Sequence, residues 1–125
     1  MRRRAFAKRT HWQRGVMNKG ERAYAEHLDN LKTKGHILRY GFEASTWLIG
    51  PNCRLTPDFT VIMADGEMQM HEVKANRKGR WHAEDDAKVK MKAFVDKWPE
   101  IALLVVWPSD RAYSHWHADT IGHGG

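Results

Sequence analysis

Two carboxylates and a lysine lie close together near the middle of the chain, at Asp58, Glu72 and Lys74. Side chains alternate along a β-strand, so a strand over residues 67–75 would place Glu72 and Lys74 on one face and Val73 on the other. Carboxylate oxygens are the hard ligands that Mg²⁺ takes, and an ammonium group stabilises the negative charge that develops when a phosphodiester is attacked. The three residues are therefore candidates for a phosphodiester-cleaving site, with Asp58 and Glu72 as metal ligands and the carbonyl group of Val73 as a further ligand.

The residues between the two carboxylates predict the hairpin that must bring them together. Ala-Asp-Gly at 64–66 separates two strand-like runs, which is hairpin chemistry. A two-residue turn would set Asp58 opposite Val73 and leave the carboxylates on opposite faces of the sheet. A three-residue loop would set Asp58 opposite Glu72, within reach of one ion. A shared metal site therefore requires the three-residue loop, with Gly66 in the left-handed region of backbone conformation.

Residues 19–34 have the pattern of an amphipathic helix. Asn18 and Glu21 have the spacing of a capping box at its beginning. Glu21 shares a helical stripe with apolar residues, so we expect it at the N-terminal end of the face that packs on the sheet. It is the candidate for a fourth catalytic residue and metal ligand, and the alternative is that it only caps the helix. Glu26 lies about 140° further around the helix among polar neighbours and is the weaker candidate.

The remaining pattern predicts one domain over residues 18–125. Strand-like runs at 36–49, 55–63 and 67–75 follow the first helix. A second helix, which ends before Pro99, is predicted by the apolar stripe of Ala87, Met91, Phe94 and Trp98. The run IALLVVW at 101–107 predicts a strand that is covered on both faces, and the segment around His115 and His117 is expected to be an exposed tail rather than a metal site. We therefore expect an α/β (α+β) fold with a mixed sheet of about four strands flanked by helices, in the order αβββαβ.

The charge balance favours a polyanionic partner, with nucleic acid as the first candidate. The chain has 21 Lys and Arg against 15 Asp and Glu, which gives a formal net charge of +6. Residues 1–17 are rich in Arg and Lys and are predicted to form a flexible basic arm. Trp12 and Trp81 are flanked by basic residues and are candidates for stacking on unpaired bases, with a place in the core as the alternative. The candidates for nucleic-acid contacts are Arg2, Arg3, Arg4, Lys8, Arg9, Arg14, Lys19, Arg77, Lys78, Arg80, Lys88 and Lys92.

Composition also excludes several classes of protein and site. Cys53 is the only cysteine, so the chain can form neither an intramolecular disulfide nor a multi-cysteine zinc site. The longest apolar run, at 101–107, is much shorter than a membrane span. We therefore expect a cytoplasmic protein of a bacterium or a phage-infected cell, with no membrane partner and no small-molecule cofactor.

Pro57-Asp58 and Glu72-Val73-Lys74 resemble the two halves of the signature of the PD-(D/E)xK nuclease superfamily. Over about residues 18–107 the chain is similar to phage endonuclease I-type Holliday junction resolvases and related small phage nucleases, which have a helix glutamate, TPDF, ExK and a basic loop. This resemblance implies a restriction-endonuclease-like core, a Mg²⁺ cofactor for which Mn²⁺ can substitute, and a homodimer that cleaves DNA, with branched DNA as the expected substrate. Two alternatives stay open: a catalytically inactive nuclease-fold protein that binds nucleic acid, and a restriction-type or transposition-type endonuclease of the same superfamily.

Overall fold

The computed structural model describes residues 15–122 and has an α+β fold. Almost all of the predicted basic arm, with Trp12 and its six basic residues, lies outside the described residues. The strands form a five-stranded mixed sheet in the order β1-β4-β5-β6-β7 and a separate two-stranded sheet of β2 and β3. The elements in chain order are α1 (Lys19–Thr33), β1 (Ile37–Phe42), β2 (Trp47–Gly50), β3 (Cys53–Leu55), β4 (Phe59–Met63), β5 (Met68–Val73), α2 (Asp85–Lys97), β6 (Ala102–Pro108) and β7 (Trp116–Thr120).

Both helices lie where the sequence predicts them, and local chemistry explains their ends. At the start of α1, the Glu21 amide donates to Asn18 Oδ1 and the Asn18 amide donates to Glu21 Oε1, each at 2.8 Å, so the predicted capping box is present. Gly35 follows α1 with a φ of +83°, a conformation that glycine adopts without steric cost. Pro99 lies just beyond α2, as predicted. Within residues 15–122, neither helix combines the length and the apolar character that crossing a membrane requires.

The main sheet is covered on both faces, so its central strands are apolar on both sides. On one face α1 packs Tyr24 and Leu28 against Phe59, Val61 and Val106. On the other face, α2 and the β2–β3 hairpin pack Phe94, Met91 and Ile49 against Met70, Leu103 and Val105. The prediction that the apolar run at 101–107 forms a strand buried on both faces is confirmed by β6. Trp107 is buried, as predicted, whereas Trp98 is half-buried at the edge of the core.

The hairpin between β4 and β5 has the three-residue loop that the shared site requires. The Gly66 amide donates to the Met63 carbonyl and the Met63 amide donates to the Glu67 carbonyl, both at 2.8 Å. Gly66 has a φ of +92°, as predicted. The ladder then runs from Ile62 opposite Met68 to Phe59 opposite His71. Continuing this register by one residue sets Asp58 opposite Glu72.

The predicted element order αβββαβ is wrong, because the described residues contain seven strands rather than four. The run at 36–49 is divided into β1 and β2 by a turn in which Glu43 has a φ of +48°. The run at 55–63 is divided at Pro57, and β3 pairs with β2 outside the main sheet. The segment at 115–117 is not a tail, because β7 pairs antiparallel with β6 along Trp107–His117 and the neighbouring pairs.

We expect Gly66→Ala to destabilise the protein by about 1–2 kcal/mol, because an alanine at a left-handed position pays the steric cost that glycine avoids. A Cβ at this position would meet no atom within 4 Å, so the effect would come from backbone conformation alone. The measurement is the free energy of unfolding from urea denaturation. Gly66→Asn is the matched control and should lose less, since asparagine tolerates the left-handed region. Equal stability of Gly66→Ala and the wild type would contradict the loop conformation.

Candidate active site

The candidate site lies where β4 and β5 separate. Beyond the last ladder pair, backbone pairing between the two strands is replaced by two bonds from backbone amides to carboxylates. The Asp58 amide donates to Glu72 Oε1 and the Val73 amide donates to Asp58 Oδ2, both at 2.8 Å. Each carboxylate is thus held by the backbone of the opposite strand. The structure brings Asp58 and Glu72 together, as the loop register predicts.

Lys74 is positioned by the pairing of β5 with β6. Val73 lies opposite Val106 in the parallel ladder, and the Lys74 amide donates to the Val106 carbonyl at 2.9 Å. The Val73 side chain packs in the core under α1, next to Gly20. Since side chains alternate along the strand, Glu72 and Lys74 project from the other face. The half-buried Lys74 therefore follows Glu72 on the same face, at the end of β5.

Burial raises the pKa values of both carboxyl groups. Burial is the largest cause for Asp58, followed by the negative charge of Glu72, and together they raise its pKa to about 8. Burial also raises the pKa of Glu72, while hydrogen bonding to Asp58 and the positive charge of Lys74 act against that rise. A bound cation would favour the ionised form of both carboxyl groups and so lower these pKa values.

Glu21 approaches this pair from the N-terminal end of α1. It is only 7% exposed, and one of its oxygens accepts the bond from the Asn18 amide at the cap. Its negative charge raises the pKa of both Asp58 and Glu72, so it lies close to them. The cap and a role in the site are therefore compatible, because they use the same carboxylate in one position.

The donor set fits a hard divalent cation such as Mg²⁺. Asp58 Oδ2 and Glu72 Oε1 each accept from a backbone amide, and the two carboxyl groups also interact directly with each other. Within that range, no group of three or more His, Cys, Asp or Glu side chains is arranged to hold a metal ion by itself. Mg²⁺ is commonly held by one or two carboxylates, with waters and substrate phosphates as its other ligands. Asp58 and Glu72 would hold it, while ligation by the carbonyl of Val73 stays a prediction.

A buried pair of polar side chains lies directly behind the site. The hydroxyl of Tyr24 is 2.7 Å from His71 Nδ1, and His71 Nε2 is 2.9 Å from Gln69 Oε1. Burial, and secondarily the charge of His27, lower the pKa of His71 to about 4. The ring is therefore neutral near pH 7, donating to Gln69 and accepting from Tyr24. The sequence analysis missed this pair, although Tyr24 lies one helical turn after Glu21.

The predicted nucleic-acid contacts that can be located are dispersed. Lys19, at the start of α1, lines the same cleft as Lys74. Arg77 and Lys78 are exposed in the loop after β5. Arg80 is 3.4 Å from Asp119 in an exposed ion pair, which contributes little to stability. No hydrogen bond or ion pair among residues 15–122 connects the basic side chains of α2, Lys88 and Lys92, to the carboxylates.

A cleft of about 610 Å³ opens beside Lys74, and sequence analysis did not predict its outer wall. Its lining combines the start of α1, the end of β5 and the loop between β6 and β7. Asp58 and Glu72 do not line it, so the cleft adjoins the carboxylates rather than containing them. The side chains that the sequence analysis missed are Arg111, Tyr113 and Trp116. Trp81, a candidate for stacking, packs against the core, which was the alternative for this residue, and its indole nitrogen donates to Asp119 at 2.7 Å.

We expect Asp58→Asn to stabilise the metal-free protein at alkaline pH. A carboxyl group whose pKa is raised from 3.8 to about 8 on folding binds more protons in the folded state. The stability that this provides is complete below pH 4 and is lost as the pH rises through about 8. An asparagine does not titrate, so the stability of the variant minus that of the wild type should increase from pH 5 to pH 8.5. Urea denaturation in the presence of a chelator measures that difference.

His71 has the opposite effect on how stability depends on pH. Folding lowers its pKa, so the protein loses stability as the pH falls below 6.5. The wild type and Asp58→Asn both contain His71, so its effect cancels in the difference between their stabilities. Glu67→Gln removes an exposed carboxylate from the same hairpin and is the control, for which we expect no comparable gain. A difference in stability between Asp58→Asn and the wild type that stays constant with pH would contradict the raised pKa of the Asp58 carboxyl group.

Comparison of the chain with protein-family models, with curated proteins and with solved structures found no match. Function can therefore be inferred only from the geometry of the site and from the motif residues themselves. The strongest element of that geometry is the register that sets Asp58 opposite Glu72, with Lys74 directly after the last residue of β5.

Proposed function

We propose that the protein is a metal-dependent endodeoxyribonuclease that hydrolyses phosphodiester bonds. The observation that carries this proposal is the pair of carboxylates, Asp58 and Glu72, each held by a backbone amide of the opposite strand at 2.8 Å. Two adjacent carboxyl groups with raised pKa values are characteristic of a site that gains from a divalent cation. A bound Mg²⁺ or Mn²⁺ would supply Lewis-acid activation of the phosphate and of the attacking water.

The remaining roles in catalysis and binding belong to side chains of the protein. Asp58 and Glu72 would hold the cation, and Glu21 would add negative charge from the start of α1. Lys74, which follows β5, would donate to the attacking water or to a phosphate oxygen as negative charge develops there. Lys19 and Lys74 line one cleft and offer positive charge to the neighbouring phosphates.

The arrangement of elements supports a restriction-endonuclease-like core within the larger fold. When the β2–β3 hairpin and β7 are set aside, the remaining elements run helix, three strands, helix and strand. In that core β4 and β5 form an antiparallel hairpin and β5 pairs parallel with β6. Branched DNA as the substrate and a homodimeric assembly belong to the proposal through the resemblance of residues 57–58 and 72–74 to the resolvase signature.

We expect Asp58→Asn, Glu72→Gln and Lys74→Ala each to lower Mg²⁺-dependent DNA cleavage by about 10²-fold or more, the usual effect of removing one group that stabilises a transition state. The assay compares branched, single-stranded and duplex DNA, each with Mg²⁺, with Mn²⁺ and with a chelator. Binding measured with Ca²⁺ in place of Mg²⁺ should fall much less than cleavage in all three variants, because contacts outside the site also hold the DNA.

Lys78→Ala is the matched control for Lys74→Ala, since it removes a lysine from the neighbouring loop outside the site. It should retain cleavage within a few-fold of the wild type. Full activity in purified Asp58→Asn would refute the site. Binding by a wild type that cleaves none of the three DNA forms would instead favour the nucleic-acid-binding alternative.

The two roles of Glu21 can be separated by the choice of substitution. Glutamine can accept the bond from the Asn18 amide as glutamate does, so Glu21→Gln should keep the capping box and lose only the charge. We expect its stability to stay close to that of the wild type and its cleavage rate to fall at least tenfold. Glu21→Ala should lose activity and also about 1 kcal/mol of stability with the cap. Wild-type cleavage by Glu21→Gln would limit this residue to capping.

A further inference from the structure

The loop between β6 and β7 holds Tyr113 in an unusual backbone conformation. Tyr113 has a φ of +57°, which is uncommon for a bulky side chain and carries a steric cost. The loop compensates through Asp110, whose carboxylate accepts from the amides of Ala112 and Ser114, both at 3.0 Å. These bonds lower the pKa of the Asp110 carboxyl group. The loop therefore holds the Tyr113 ring in one place at the expense of local strain.

The Tyr113 ring lies parallel to the indole of Trp116. Their centroids are 5.8 Å apart with an angle of 18° between the planes. Trp116 is supported from beneath, because its ring meets the buried Tyr24 edge-on at 4.8 Å. Both outer rings are half-buried and line the cleft that also contains Lys74. We name Tyr113 and Trp116 the aromatic wall.

Basic side chains lie beside the aromatic wall. Lys19, Lys74 and Arg111 line the same cleft. A second depression of about 380 Å³, also bounded by both rings, is lined by Lys19 and Arg22 together with one acidic residue, Glu26. The acidic residue of the first cleft, Asp110, is occupied by the backbone amides of its own loop. Aromatic faces between lysine and arginine side chains match the chemistry of a nucleotide strand, whose bases stack while its phosphates pair with cations.

We propose that the aromatic wall stacks on an unpaired base of the DNA substrate. That this base lies next to the cleaved phosphate rests on the proposed function, since Lys74 belongs both to the candidate active site and to the cleft. A base within a duplex is stacked and paired on both sides and cannot reach the wall without being flipped out. The substrate class is therefore DNA with unpaired nucleotides at the cut, such as a flap, a gap or the crossover of a branched structure. A cleft of about 610 Å³ lies within the size range of small-ligand sites and can take a base with its sugar.

The test uses a short oligothymidylate that contains one fluorescent aminopurine, with Ca²⁺ in place of Mg²⁺ so that the strand is not cut. Stacking of the aminopurine on the wall should quench its fluorescence. Tyr113→Asn removes the ring but tolerates a positive φ, so the loop should keep its conformation. We expect this variant to bind the single strand about tenfold more weakly than the wild type, as loss of base–aromatic stacking predicts, and to quench less. Tyr113→Phe keeps the ring and should restore both binding and quenching.

Cleavage with Mg²⁺ distinguishes this inference from the proposed function. Tyr113→Asn should lower cleavage of flapped or gapped DNA about tenfold while Lys74→Ala abolishes it, so that the first change acts through base binding and the second through chemistry. Wild-type affinity and quenching by Tyr113→Asn would overturn the aromatic wall as a base site, even if Lys74→Ala confirms the nuclease. Quenching that depends on Tyr113, in a protein that cleaves no DNA, would support base binding and refute the proposed function.

Discussion

The register of the β4–β5 hairpin is the constraint on which the candidate site depends. Side chains alternate along a strand, so a slip of one residue would send Asp58 and Glu72 to opposite faces of the sheet. The loop at 64–66, with Gly66 at a φ of +92°, selects the register in which they meet. The same register places Phe59 and His71 under α1. Core packing and the site therefore require the same alignment, and each reinforces the other.

The site concentrates negative charge where water is partly excluded, which opposes stability. Backbone amides and Lys74 offset only part of this cost, because the pKa of Asp58 is still raised to about 8. The fold can sustain it because the sheet is covered on both faces by helices and by the β2–β3 hairpin. Groups that are unfavourable for folding yet firmly positioned are characteristic of functional sites.

Sequence predicted the parts of the fold that local chemistry controls. The capping box at Asn18, the stripe of α2 and the three-residue loop each depend on a few neighbouring residues. The division of β1 from β2 depends on Glu43 at a positive φ, which residue type does not signal. The pairing of β7 with β6 is non-local, and Tyr113 enters the cleft only because Asp110 shapes its loop. The carboxylates could therefore be predicted, whereas the aromatic wall could not.

Tyr24 connects the aromatic wall to the strands that carry the candidate active site. Its ring supports Trp116 at 4.8 Å, and its hydroxyl lies 2.7 Å from His71, whose backbone pairs with Phe59 beside Asp58. The pKa of His71 is about 4, and that of the Asp58 carboxyl group is about 8. The hydrogen bond between Tyr24 and His71 therefore stays uncharged over the pH range in which Asp58 ionises. Titration of the carboxylates therefore need not disturb the aromatic wall. The charge of the carboxyl groups can change with pH while the aromatic wall keeps its shape.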